Sequence, residues 1–154
     1  MAIVGINLTK INSERTGDIK GKINVNNNVV IKSVESARIG LALKEKGIQV
    51  GFAFKSNYAP NIGKIEIEGK ILLLESEENA KNIIESWNKS KRLPPILMQQ
   101  LFTTILRKCN IKALVLSEDI GLPSPIRLPE VRIAKKAPKT TEQKQAKKPE
   151  VKKK

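Results

Sequence analysis

Histidine is missing from all 154 residues, and cysteine occurs once. The first absence removes the usual general base, proton shuttle and metal ligand together. The second excludes an internal disulfide framework and any paired-cysteine metal knuckle. Aromatic residues make up only 3% of the chain, so a core has to be built from Ile, Leu and Val, and platforms for stacking bases are few. There is no G-x-G-x-x-G, and Gly63-Lys64 and Gly69-Lys70 lack both the spacing and the hydroxyl of a phosphate loop. Glu66 and Glu68 share one face of a strand with Lys70 and read as a solvated face, not an acid/base pair. The pair Glu118 and Asp119 is equally ordinary. No apolar run approaches membrane length, and the brief N-terminal AIVGINL lacks a basic leader. These absences lead to the expectation of a soluble, cytoplasmic protein that is not an enzyme and needs no cofactor or metal.

Positive charge is plentiful. Lys and Arg number 29 against 15 Asp and Glu, a net +14. Residues 1–133 hold 20 basic and 13 acidic residues, and residues 134–154 hold 9 and 2, so each part carries +7. The last 21 residues contain almost nothing that can be buried, so the division expected is a folded domain over 1–133 and a disordered lysine-rich tail over 134–154. A surface this basic attracts polyanions without regard to sequence.

The patterning of the first half is that of strands. Val4, Ile6 and Leu8 share one side from Ala2 to Ile11 and Asn7 and Thr9 the other, with Ile3 and Ile11 adding to the second face, and the polar run Asn12 to Gly21 reads as a connection or the frayed middle of a hairpin. Ile23, Val25, Val29 and Ile31 share one parity up to about Val34, although the triplet Asn26-Asn27-Asn28 could turn the chain or form a bulge. A third strand spans about Gly47 to Lys55 with Ile48, Val50, Phe52 and Phe54 on one side. Gly51 and Ala53 lie on the other, as a close neighbour or a plain solvent face would allow. The segment from Ala37 to Gly47 is read as continuing the second strand, with an irregular turn-and-helix segment as the alternative. Asn57 to Gly63 is a loop by composition, and a fourth strand runs from Ile65 into the apolar Ile71 to Leu74.

Two helices follow. Ser76 can cap the first, whose Ala80, Ile83, Ile84 and Trp87 form one apolar stripe, making Trp87 a packing anchor. Pro94 and Pro95 open the second, with Leu97, Met98, Leu101, Phe102, Ile105, Leu106 and Cys109 at helical spacing. The helix is expected to end near Asn110, which would place Arg107 and Lys108 favourably at its C-terminus. A short amphipathic piece and the rigid run GLPSPIRLP come next. The fold expected is α+β, a four-stranded antiparallel meander backed by two C-terminal helices.

Four strands, a helix bearing Trp87, then LPPILMQQLFTTILRKCN and ALVLSEDIGLPSPIRLP, is an order that resembles the SecB-like protein-export chaperones over about residues 2–131. The resemblance implies a protomer able to dimerise, with itself or another subunit, through sheet edges or helices. It also implies a holdase that binds unfolded chains through exposed apolar surface on the sheet or the second helix. The export chaperone of that family is acidic and lined with aromatics, whereas this chain is basic and has only Phe52, Phe54, Tyr58, Trp87 and Phe102.

The charge therefore leads to a different first expectation: a structural RNA-binding protein of a ribonucleoprotein, ribosomal or ribosome-associated and of archaeal type, with rRNA and neighbouring ribosomal proteins as partners and no membrane. The residues expected to meet phosphate are Lys135, Lys136, Lys139, Lys144, Lys147, Lys148, Lys152, Lys153 and Lys154 in the tail, with Lys89, Lys91 and Arg92 in the turn between the helices. The SecB-like holdase is the alternative.

Overall fold

The computed structural model describes residues 2–38 and 45–131. Four strands, β1 (Ala2–Arg15), β2 (Asn24–Ala37), β3 (Glu45–Ala59) and β4 (Gly63–Ser76), precede two helices, α1 (Glu77–Ser90) and α2 (Pro95–Asp119). The α+β architecture is the one expected. All strand pairs are antiparallel, and the sheet order is β1-β4-β3-β2. The meander thus holds for β2, β3 and β4, while β1 lies beside β4 at the far edge. Residues 16–23 cross between the two edges. They are held to the β3–β4 turn, where the Thr16 and Gly17 amides donate to Ile62 O at 2.8 and 3.2 Å and the Thr16 hydroxyl donates to Asn61 O at 2.9 Å.

Pairing extends the strands beyond what alternation suggests. Asn12 to Arg15 continue β1 against Glu66 to Gly63, and Asn57 to Ala59 continue β3 against Asn26 to Asn24. The asparagine triplet stays in register opposite Asn57, Ser56 and Lys55, and the bulge of β2 falls between Ile31 and Ser33. Residues 39–44, part of the segment read as continuing the second strand, lie outside the described residues.

One face of the sheet carries the core. Ile48, Val50, Phe52, Phe54 and Tyr58 of β3 and Ile65, Ile67, Ile71 and Leu73 of β4 are buried beneath Ala80, Ile83 and Trp87 of α1 and Leu97, Leu101 and Ile105 of α2. Gly69 interrupts this array because the Phe52 ring lies over it. A Cβ there would stand 2.7 Å from Phe52 Cζ and 2.5 Å from Asn7 O. Trp87 is a core anchor, as its helical spacing indicates.

The opposite face is stitched by charge. Lys32 of β2 reaches Glu68 of β4 at 2.9 Å, Lys55 pairs with Glu66 at 3.4 Å, and Lys64 lies 3.8 Å from Glu14. The Lys32–Glu68 link spans β3 over Ala53, which pairs with Glu68 and is buried although no helix covers that face. Ser33 Oγ sits 2.6 Å from where a Gly51 Cβ would be. The small residues of β3 therefore do have close neighbours, namely side chains of the flanking strand.

α2 is one 25-residue helix. Its buried residues recur every four positions, Leu97, Leu101, Ile105, Cys109, Ala113 and Ser117, so packing carries the helix past Asn110, where the sequence suggested an end. Arg107 and Lys108 consequently lie mid-helix, away from the terminal carbonyls. Ser76 occupies the cap position of α1 but makes no side-chain cap bond, while Glu77 and Glu78 stand in the first turn as expected.

After α2 the proline-rich run is pinned as a strap. Tyr58 Oη donates to Pro123 O at 2.9 Å and Asn27 Nδ2 to Pro125 O at 2.8 Å. Burial raises the Tyr58 phenol above its ordinary pKa, opposed by the neighbouring Ser56 and Ser117 hydroxyls.

Candidate polypeptide-binding surface

Both helices lie over β2, β3 and β4. β1 keeps an apolar helix-side face without a helix of its own: Ile3, Ile6 and Leu8 are half-buried and Ile11 is exposed. The helix beside it is α2. Ile3 near the start of β1 lines a cavity with Ile96, Gln99, Gln100, Thr103 and Thr104, and Arg15 at the end of β1 donates to Gly121 O at 3.5 Å just beyond α2. The result is a trough with an apolar floor from β1 and a wall from α2.

The cavity at its head has a volume of about 490 Å³. On the other side of Ile96, a second cavity of about 300 Å³ opens between the helices, lined by Asn79, Asn82, Ile83 and Ser86 of α1 with Pro94 and Leu97, and by one carboxylate, Glu75, which accepts from Asn79 Nδ2 at 3.3 Å. Ile96 borders both and is 71% exposed. Around it the polar groups are mainly amides and hydroxyls. Charge is depleted at the centre of protein-binding surfaces, and in a chain that is 29% charged this stretch has the same character. Thr103 and Thr104 donate to the Gln99 and Gln100 carbonyls, which leaves their oxygens free to accept.

Ile96, Gln100 and Thr104 each precede a buried residue of α2, Leu97, Leu101 and Ile105, and share the cavity with Ile3, so the first three turns of the helix present this flank to the β1 side. Lys108 and Lys112, like Lys10, Lys20, Lys22, Lys70 and Arg107, are in no ion pair among the described residues.

The residues singled out from sequence are placed differently. Lys89 lies 3.8 Å from Glu85 one turn earlier on α1. Lys91 closes α1 in the left-handed region at φ 55°, and its Nζ stands 5.3 Å from the centre of the Trp87 ring. Arg92 is exposed beside them. Two of the three cations of this turn are therefore engaged within the fold. The tail lysines Lys135 to Lys154 lie outside the described residues. Cys109 is buried, and desolvation pushes its thiol up to about 11, in keeping with a packing role. Among the described residues no group of three His, Cys, Asp or Glu is placed to hold a metal, and no helix is long and apolar enough to cross a membrane.

The resemblance put an apolar binding surface on the sheet or the second helix, but which strand and which residues escaped the reading of the sequence. The trough's signal was present as two uncharged runs, Ala2 to Thr9 and Leu93 to Leu106, which the fold brings together.

No family model and no curated protein matches the chain. Among solved structures, it is similar to the Mycobacterium tuberculosis Rv1957 SecB-like chaperone in complex with a ChAD peptide from the Rv1956 HigA1 antitoxin. The likeness covers 86% of this chain and 91% of that one, at 10% identity and a TM-score of 0.47. It concerns the arrangement of the elements and not what the chain binds.

Proposed function

We propose that this protein is a non-catalytic holder of extended, unfolded polypeptide, with the trough between β1 and α2 as its site. The observation that carries this reading is the apolar strip of β1 beside exposed Ile96, where side chains that the core covers only in part lie next to neutral hydrogen-bonding groups. An extended chain laid there would bury apolar side chains against Ile3, Ile6 and Leu8 and meet the amides and hydroxyls of α2 with its backbone. Light scattering of a denaturing client tests it. The full chain is expected to suppress aggregation at near-equimolar ratio and Ile96→Asp to do so less well; absence of suppression by the unaltered protein sinks the proposal.

Charge in the tail favours a second reading, RNA binding, with the ribosome as one setting. Nine lysines and two glutamates in residues 134–154 suit phosphate tracking, while Lys89 and Lys91 of the turn between the helices are engaged internally. If about five tail lysines meet single-stranded RNA, the binding constant falls with salt at a log-log slope of about −3.5. A flat salt response removes this reading.

A further inference from the structure

The far half of α2 turns an open face to solvent. Its buried residues there, Cys109, Ala113 and Ser117, centre on Ala113. At about 100° per residue, the opposite side of the helix is an arc of about 120° that holds Arg107, Lys108, Ile111, Val115, Glu118 and Asp119. All are exposed, Ile111 at 69% and Val115 at 47%. Their order is symmetric about the level of Ala113. The aliphatics lie two positions before and two after it, the cations five and six before, and the carboxylates five and six after. We propose that this face docks on the same face of a second copy, the two α2 helices packing antiparallel about a two-fold axis at Ala113. The inference goes beyond polypeptide holding and does not rest on it.

Such an axis sets residues that precede Ala113 against residues that follow it on the same side of the partner helix. Lys108 and Asp119 lie to one side of the apolar pair, Arg107 and Glu118 to the other. Lys108 then meets Asp119 of the partner subunit, Arg107 meets Glu118 of the partner subunit, and Ile111 packs on Val115 of the partner subunit. Because each contact occurs twice, an apolar seam is ringed by ion pairs, as protein interfaces commonly are. Lys112, half-buried, falls outside the arc. A parallel pairing would bring like charges together, so charge fixes the orientation. The carboxylates strengthen the case. Glu118 and Asp119 end α2, where the helix dipole disfavours negative charge, and no cation stands in that last turn. A second copy supplies the cations. RNA or an anionic membrane would satisfy Arg107 and Lys108 but set the carboxylates against like charge. The contact spans about three to four turns per copy, so the dimer is weak and forms in the micromolar range. Both troughs stay open on it, their Ile96 residues about 50 Å apart along the helix pair.

Sedimentation velocity of the full chain across the micromolar range, before and after nuclease treatment, tests this at about 0.15 M salt, where repulsion between the basic tails is screened. A monomer–dimer equilibrium is expected in both samples. Ile111→Asp is expected to weaken it by at least about tenfold. Arg107→Glu/Lys108→Glu, and separately Glu118→Lys/Asp119→Lys, set like charges across the seam and are each expected to stay monomeric where the unaltered chain pairs. An equimolar mixture of these two variants restores opposite charge at every pair and is expected to dimerise as the unaltered chain does. The substituted positions are all exposed, and melts followed by circular dichroism confirm that each variant is folded. A mixture of folded variants that stays monomeric overturns the inference. So does an unaltered chain that never pairs, or a dimer that Ile111→Asp leaves intact. Pairing that nuclease abolishes assigns the cations to RNA and overturns it too. Were a charge variant unfolded, Ile111→Asp would decide alone. Suppression of client aggregation reads the trough separately, because none of these residues lines it.

Discussion

The two faces of this sheet are built on different physics although they share every backbone hydrogen bond. On the helix side, Ile, Leu, Val and Phe interlock so closely that Gly69 has to lack a side chain. On the open side, Lys32, Lys55 and Lys64 reach across strands to Glu68, Glu66 and Glu14, with water on the far side. Removing atoms should therefore be costly on one face and nearly free on the other. The largest effect is expected for Phe52→Ala, about 4 kcal/mol of unfolding free energy by urea titration. A loss under about 1 kcal/mol would mean that the ring is not the centre of that face.

Adding atoms on the same face should cost less. Gly69→Ala presses a methyl group against Phe52 and the Asn7 carbonyl, and about 2 kcal/mol is expected, with Phe52→Leu in the same chain recovering part of it. Independent, additive losses from the two substitutions would show that they do not meet. Tyr58→Phe keeps the ring and removes only the bond to Pro123, for about 1 kcal/mol. Hydrogen exchange should then rise at residues 122–126 before it rises in the sheet.

The smallest effects belong to the open face. Lys32→Ala and Lys55→Ala are each expected to cost well under about 1 kcal/mol and to become neutral in high salt. The hydrogen bond from Lys32 holds the Glu68 carboxyl below its ordinary pKa, and Lys46 does the same for Glu77. A carboxyl lowered in the folded state contributes stability above its unfolded pKa, and this is lost as pH falls through the lowered value. Melting temperature should thus drop on acidification from about pH 5 to pH 3, less steeply in Lys32→Ala. An identical acid profile in the variant would show that the link contributes nothing.

Sequence pattern reached the contrast between the faces but not the order of the strands. Parity alone separates Ile65, Ile67 and Ile71 from Glu66, Glu68 and Lys70, and so predicts which side is wet. It does not say which strand lies beside which, and β1 pairs with β4 through a crossing that depends on contacts of Thr16 and Gly17 with Asn61 and Ile62. Local composition also yielded to pairing: Asn57 and Tyr58 suit a turn, yet Tyr58 is buried in β3 beneath the strap. The long reach of α2 was hidden because Ala113 and Ser117 are weak apolar markers. The trough depends on two segments some ninety positions apart, and single-segment periodicity carries no term for that meeting.

The strap is fastened above β2 through Asn27, at the edge of the sheet opposite β1. Three strand spacings, about 14 Å, therefore separate its anchorage from the strand that floors the trough. The anchorage of the strap and the floor of the trough thus stand on opposite flanks of one plate, and a polypeptide shorter than about five extended residues, seated on one, would not reach the other.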